Sequence, residues 1–226
     1  MLSRDSSRPS AGPVPGGGAT RASSRFLYAG LIGAWLAAVL SGFAWLSSYK
    51  ATPGAIAPES PSRWPVDSVI RRDPDRATLV MFAHPRCPCT RASVSELARL
   101  MGRLPGRLAA RVVFLRPAEV TEGWERTDLW RTVSTIPGAV ALRDDDGAEA
   151  ARFGAATSGF TLVYDADGRL LFRGGLTASR GHEGDSFGQR RVVSLLTTGA
   201  ADRSDSPVFG CALGTHHARA MTKEEP

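Results

Sequence analysis

Apolar positions along the chain fall into one long uninterrupted block followed by a series of short runs. The block, residues 26–49, reads FLYAGLIGAWLAAVLSGFAWLSSY and contains no charged residue. At about 1.5 Å per residue, a helix of this length crosses the roughly 30 Å hydrocarbon layer of a membrane. Tyr28, Trp45 and Tyr49 stand near its ends, where amphipathic rings favour the interface. Beyond it, Thr78-Leu79-Val80-Met81-Phe82 and Arg111-Val112-Val113-Phe114-Leu115 are short apolar runs suited to buried strands. Between them Val94, Leu97, Leu100, Met101 and Leu104 recur at helical spacing, and Pro105-Gly106 ends that helix. Residues 124–133 predict a second helix with Trp124 and Trp130 in the core, residues 139–142 a third strand, and residues 148–153 a short helix. Phe160-Thr161-Leu162-Val163-Tyr164 and Leu170-Leu171-Phe172 flank Asp165-Ala166-Asp167-Gly168, a hairpin whose Asp-Gly turn tolerates positive φ. A last amphipathic helix runs through residues 189–196. The order β-α-β-α-β-α-β-β-α predicts an α/β domain: a mixed sheet with crossover-linked parallel strands, an antiparallel pair, and helices on both faces.

Charge orients the long block. Arg4, Arg8, Arg21 and Arg25 precede it against a single acid, Asp5, so the N-terminus is expected in the cytoplasm and everything after Lys50 outside an inner (cytoplasmic) membrane, in the periplasm of a bacterial-type cell. A cleaved signal peptide is the rival reading. The uncharged run exceeds the usual apolar region of about 7–15 residues, and the nearest Ala-x-Ala, Ala55-Ile56-Ala57, is followed by Pro58; an uncleaved anchor is the expectation. The predicted organisation is a disordered basic tail (1–25), a transmembrane anchor (26–49), a Pro-punctuated, semi-extended linker (50–67), a folded domain (68–213) and a flexible tail (214–226). The formal charge of +6 excludes little by itself. Basic and acidic residues are mixed along the domain with no basic stripe interleaved with aromatics, so no nucleic-acid partner is expected.

Three cysteines remain: Cys87, Cys89 and Cys211. An odd number leaves at least one thiol outside any intramolecular bridge. Cys87 stands where the helix after the first strand should begin, with Pro88 suited to its first turn, where a missing N–H costs nothing. Unpaired N–H groups and the positive end of the dipole favour a thiolate there, and Arg86 and Arg91 add positive charge nearby. Cys87 is therefore expected to be the more exposed and more acidic thiol, with Cys89 behind it. Pro207-Val208-Phe209-Gly210 is apolar enough to pack the C-terminus back on the domain and bring Cys211 to the pair, as a resolving thiol or as one half of a structural bridge.

The segment Val80-Met81-Phe82-Ala83-His84-Pro85-Arg86-Cys87-Pro88-Cys89 resembles the strand, loop and active-site cysteines of thioredoxin-like proteins. Counted from Phe82, Cys87 falls at that family's nucleophile position, and Cys87-Pro88-Cys89 is one residue shorter than its usual Cys-x-x-Cys. The hairpin at Asp165-x-x-Gly168 resembles the second half of the same fold. The loop Ser179-Arg180-Gly181-His182-Glu183-Gly184-Asp185 and the segment Val208-Phe209-Gly210-Cys211 resemble a narrower group, the RedB-type proteins of the membrane-anchored, extracytoplasmic branch. The resemblance covers about residues 68–213 and implies a thioredoxin-like fold. It departs from the family pattern at Ser158-Gly159-Phe160, where those domains carry a cis-proline facing the cysteines.

Three functions follow as alternatives. The first is a thiol-disulfide oxidoreductase without a cofactor, using Cys87 as nucleophile with Cys89 or Cys211 resolving, a protein thiol or disulfide as client, and an electron donor across the membrane. The second is a Cu(I)-binding module in which Cys87, Cys89, His84 and His182 supply a soft ligand set. The third is a tethered domain whose cysteines only stabilise it. His84 is otherwise a solvated loop residue, and His182 and Asp185 otherwise hold their own loop. His216 and His217 in the polar tail offer at most an adventitious metal site.

Overall fold

The computed structural model describes residue 12 and residues 19–55, 59–199 and 204–214. The chain divides into two units, residues 1–47 and 48–226. The first is dominated by a single helix, α1 (Ala19–Ala51). Its stretch Ser24–Ala51, 28 residues of mean hydropathy 1.8 with none buried, is long and apolar enough to cross a membrane by length and composition. The helix starts at Ala19, so residues 19–25, expected in the disordered tail, are helical. Once a helix is nucleated, each added residue costs little, and Ala and Arg are among the cheapest. Apart from Gly12, the rest of that tail, and the C-terminal tail beyond Gly214, lie outside the described residues.

The second unit is built on a six-stranded sheet in the order β3-β2-β1-β4-β5-β6: β1 (Ala77–Ala83), β2 (Leu108–Arg116), β3 (Ala139–Asp145), β4 (Phe160–Tyr164), β5 (Leu170–Gly174) and β6 (Ser204–Asp205). β1 is central and every residue in it is buried. It runs parallel to β2 and antiparallel to β4. Alternation along β1 sends Leu79, Met81 and Ala83 into one core and Val80 and Phe82 into the other, as the two-residue period of a strand requires. On the first face lie α2 (Pro88–Arg103), α3 (Asp128–Ser134) and α5 (Phe187–Thr198), through Val94, Leu97, Leu100, Leu129, Val133, Val192 and Leu195. On the second lie α4 (Ala148–Arg152) and its neighbour Phe153. The expected hairpin forms: Asp165 accepts bonds from the N–H groups of Asp167 and Arg169, and Gly168 takes φ +76°.

Three details differ from the sequence reading. The second helix begins at Asp128 rather than residue 124, because Thr127 is its N-cap and Asp128 supplies the acidic first turn. β6 is too short to leave a periodic signal. Residues 59–67, expected as a semi-extended linker, are docked on the domain. Leu170 N donates to Ser62 O (2.9 Å), Trp64 N to Gly168 O (2.8 Å), and the Tyr164 hydroxyl to Pro61 O (3.0 Å). The Trp64 ring packs edge-on against Phe153 and Tyr164, with centroids 5.3 and 5.2 Å away. Burying that much aromatic surface offsets the ordering of a segment that its prolines have already stiffened.

At the far end of β3, Asp144 is 2% exposed and accepts from the N–H groups of Glu149 (2.8 Å) and Ala150 (2.9 Å), closing the first turn of α4. Asp144→Ala leaves both donors buried without a partner. It is expected to lower stability by about 1–2 kcal/mol, read as a drop in the urea midpoint at unchanged slope.

Candidate functional site

β1 ends at Ala83, and the chain turns through His84-Pro85-Arg86 into α2. Cys87 is the N-cap of that helix, with extended backbone (φ −84°, ψ 122°), and Pro88 opens the first turn. The turn is fixed by Cys87 N donating to His84 O (3.2 Å) and Thr90 N to Cys87 O (3.1 Å). Thr127 Oγ1 donates to Pro85 O (3.1 Å), pinning the loop from the α3 side.

The opposite wall is the stretch before β4. Ser158 stands where the resemblance leads one to expect a cis-proline, and no cis peptide occurs among the described residues. Its hydroxyl does what a proline cannot: it accepts from His84 N (2.8 Å) and shares a hydrogen with Thr90 Oγ1 (2.7 Å). The C-terminal segment lies along the same stretch. Ser158 N donates to Cys211 O (2.8 Å), Leu213 N donates to Ala156 O (2.9 Å), and Thr157 and Ala212 form an antiparallel bridge. Val208 and Leu213, buried in the second core, anchor it on either side. Cys211 Sγ is thereby brought to 2.7 Å from Cys87 Sγ, across 124 positions of sequence. All three thiols are free, and a bond of about 2.05 Å between Cys87 and Cys211 needs only a small further approach.

The electrostatics separate the three sulfurs. Burial pushes the Cys87 thiol up, but hydrogen bonding from Cys211 first and from Thr90 second outweighs it, so Cys87 titrates below the ordinary thiol value. Cys89 is raised by burial and then by its neighbour Cys87, with Arg180 opposing. Cys211 is pushed up to about 12 by burial, then by Cys87 and Cys89, again against Arg180. Cys87 is thus the most acidic of the three sulfurs.

The expectation that Cys87 is the exposed thiol is overturned. It is 2% exposed, while Cys89 and Cys211 are half-buried. The reason is the C-terminal segment, which covers the start of α2. The acidity expected of Cys87 holds in direction, but its sources differ. Arg91 is engaged by Asp128 (2.6 Å), and the Arg86 guanidinium lies over the Trp124 ring, 4.7 Å from its centroid. The cation among the thiols is Arg180, which opposes the rise at both Cys89 and Cys211 and donates to Gly210 O beside Cys211. It is the lone arginine of the Gly-rich loop at residues 179–185, which sequence reasoning singled out for His182 and Asp185 instead. That loop is held by Glu96, fully buried on α2, which accepts from Gly184 N (2.6 Å) and Gln189 Nε2 (2.9 Å) and pairs with Arg99. Asp185 pairs with Arg190 (2.5 Å) at the surface, and His182 is exposed.

The His84 imidazole is engaged within its own loop and with Trp124. Its Nδ1 accepts from Arg86 N (3.2 Å), and its ring meets Trp124 edge-on at 5.6 Å. Burial and then Arg86 hold it below the ordinary histidine range, so it is neutral near pH 7. Trp124, expected in the core, is this loop's half-buried companion, whereas Trp130 packs on the first core as expected. Among the described residues no group of three or more His, Cys, Asp or Glu side chains is arranged to hold a metal ion, so Cys87, Cys89, His84 and His182 are not gathered as a ligand set. His216 and His217 lie outside the described residues.

Thr90, also missed, was signalled by its place three residues after the N-cap, where a helix presents an unpaired N–H. Thr90→Val keeps the shape but removes the hydroxyl. Because hydrogen bonding favours the Cys87 thiolate, its loss is expected to move the titration of Cys87 upward in pH, toward the ordinary thiol value. Thiolate absorbance against pH, in a chain carrying Cys89→Ser, checks it.

No protein-family model matches the sequence, and no curated protein matches it. Among solved structures, the chain is similar to an uncharacterized conserved protein from Geobacillus kaustophilus at 22% identity and TM-score 0.51, covering 73% of this chain and 92% of that one. A hypothetical protein from Sinorhizobium meliloti aligns at 24% identity and TM-score 0.49, over 62% and 80% of the two chains. A secreted Mycobacterium tuberculosis disulfide oxidoreductase homologous to E. coli DsbE aligns at 17% identity and TM-score 0.37, over 54% and 81%, a score too low to bear on chemistry here. The topology itself speaks more directly: β1 parallel to β2 and antiparallel to β4, the β4–β5 hairpin, helices on both faces, and a cysteine capping the helix that follows β1. The domain after the apolar helix has a thioredoxin-like fold.

Proposed function

We propose that this chain is a membrane-anchored, extracytoplasmic thiol-disulfide oxidoreductase of the RedB-type branch, whose exchanging pair is Cys87 and Cys211. One observation carries the reading: a sulfur at a helix N-terminus with a second sulfur 2.7 Å away, in surroundings that move the first below the ordinary thiol value. Thiol-disulfide exchange needs a stabilised thiolate and a partner thiol within bonding reach, and it passes through a mixed disulfide with the client. Cys87 is buried but Cys211 is half-buried, so one sulfur of the bridge stays within reach of solvent, which favours exchange over a purely structural bridge. The arginines ahead of the apolar helix support a cytoplasmic N-terminus and a periplasmic domain. The client is a protein thiol or disulfide, with an electron donor to reset the pair. Copper binding has less support, since the two histidines that would complete a soft set stand apart from the sulfurs.

The test uses the full chain in detergent, oxidised and then mixed with a peptide bearing two cysteines. The reading expects one peptide disulfide per chain and two newly alkylatable protein thiols. Unchanged peptide and unchanged protein thiols would contradict it. Cu(I) held tightly with the thiols otherwise inert would favour the metal reading instead.

A further inference from the structure

Resting on the exchange reading above, we propose that a client thiol enters at Cys211, not at Cys87, and that the buried Cys87 is the leaving group. An attacking thiolate must approach one sulfur of a disulfide in line with the bond, so access decides which sulfur is attacked. Cys87 is 2% exposed and covered by the segment that carries its partner, whereas Cys211 is half-buried at the rim. The leaving sulfur should be the one whose thiolate is better held. Cys87 stays at the N-terminus of α2 with the Thr90 hydroxyl and N–H beside it after its partner has gone. Cys211 has no helix terminus to lean on.

The step balances as follows. A client thiolate attacks Cys211 Sγ; the Cys87–Cys211 bond breaks, its electron pair goes to Cys87 as thiolate, and a client–Cys211 bond forms. A second client thiolate then attacks the client sulfur of that mixed disulfide, and Cys211 leaves and takes up a proton. Two electrons have passed from the client dithiol to the protein pair. An acid quench protonates Cys87 and the client thiol, which stops both from attacking the client–Cys211 bond and so traps the intermediate. The segment also needs no rearrangement to present Cys211: Arg180 holds the Gly210 carbonyl, and the Thr157–Ala212 bridge holds the backbone on the other side. Its strand-like pairing with residues 156–158 makes Cys211 a tethered sulfur standing between the client and Cys87.

The experiment takes the oxidised full chain in detergent, exposes it briefly to reduced glutathione as a single-thiol probe, quenches in acid, alkylates, and maps the peptides by mass. Glutathione on Cys211, with Cys87 alkylated, is the expected result, and Cys89→Ser should leave that adduct in place. Glutathione on Cys87, or an adduct that disappears with Cys89→Ser, overturns the assignment while leaving the exchange reading intact. No adduct on any sulfur, with the thiols unchanged, overturns both.

Discussion

Cys87→Ser is expected to reduce oxidation of a two-cysteine peptide to the uncatalysed background while leaving the domain folded. The hydroxyl can neither bridge to Cys211 nor act as a thiolate leaving group at neutral pH, so every step through the Cys87–Cys211 disulfide is lost. Stability should move the other way or not at all. Position 87 is an N-cap whose present side chain makes no capping bond, and serine is among the preferred N-caps. The melting temperature should therefore stay within about 4 °C of the parent chain or rise. Loss of activity together with a collapse of the melting temperature would mean that Cys87 is structural.

The second large effect is expected at a residue with no chemistry of its own. Gly210 lies one position before Cys211, and a Cβ added there would fall 1.9 Å from the Ser158 carbonyl oxygen and 2.9 Å from its carbonyl carbon. Both are backbone atoms of the loop that also binds His84 N and Thr90, so they cannot swing aside like a flexible side chain. Gly210→Ala must therefore push the C-terminal segment off residues 156–158, breaking the Ser158–Cys211 backbone bond and carrying Cys211 away from Cys87. Relieving an overpacked contact typically costs about 1–3 kcal/mol. Converted at about 1.4 kcal/mol per tenfold, that is roughly a 5- to 140-fold fall in the population poised to form the bridge. Peptide oxidation and the Cys87–Cys211 disulfide yield should fall together, with the core unchanged by amide hydrogen exchange in β1 and β2. Unaltered bridge formation in this variant would show that the segment does not set the pair's geometry.

The legible and illegible parts of this molecule divide by the range of the interactions that make them. β1, β2 and the β4–β5 hairpin could be read because a buried strand is a short apolar run and Asp165-Ala166-Asp167-Gly168 is a turn in itself. Helix α2 could be read because five apolar residues repeat at its period. The placement of Cys87 at a helix start was legible too, since Pro88 marks a first turn. What the sequence hid is tertiary. The apolar Val208-Phe209 stretch does signal that the C-terminus folds back and brings Cys211 to the pair, but nothing local says that Leu213 sinks into the second core as well, or that the returning segment leaves Cys87 buried. That same packing is why the exposure of Cys87 was misjudged. Arg180 was hidden because its guanidinium reaches the thiols only once Glu96, buried in α2, has drawn in the loop that carries it. Trp124 misled for a related reason: a tryptophan near helical spacing suggests core, but Thr127-Asp128 starts the helix later and leaves Trp124 to cover His84 and Arg86. The docking of residues 59–67 was obscured by their prolines, which signal stiffness and not where the stiff segment lies.

The most direct test is to equilibrate the wild-type full chain across a glutathione redox series, trap the thiols, and map which cysteines are joined at each step. The structure predicts a single bridge, Cys87–Cys211, that appears and disappears reversibly, with Cys89 alkylatable throughout. A bridge between Cys87 and Cys89, or a Cys87–Cys211 bond that no glutathione ratio can open, would contradict it.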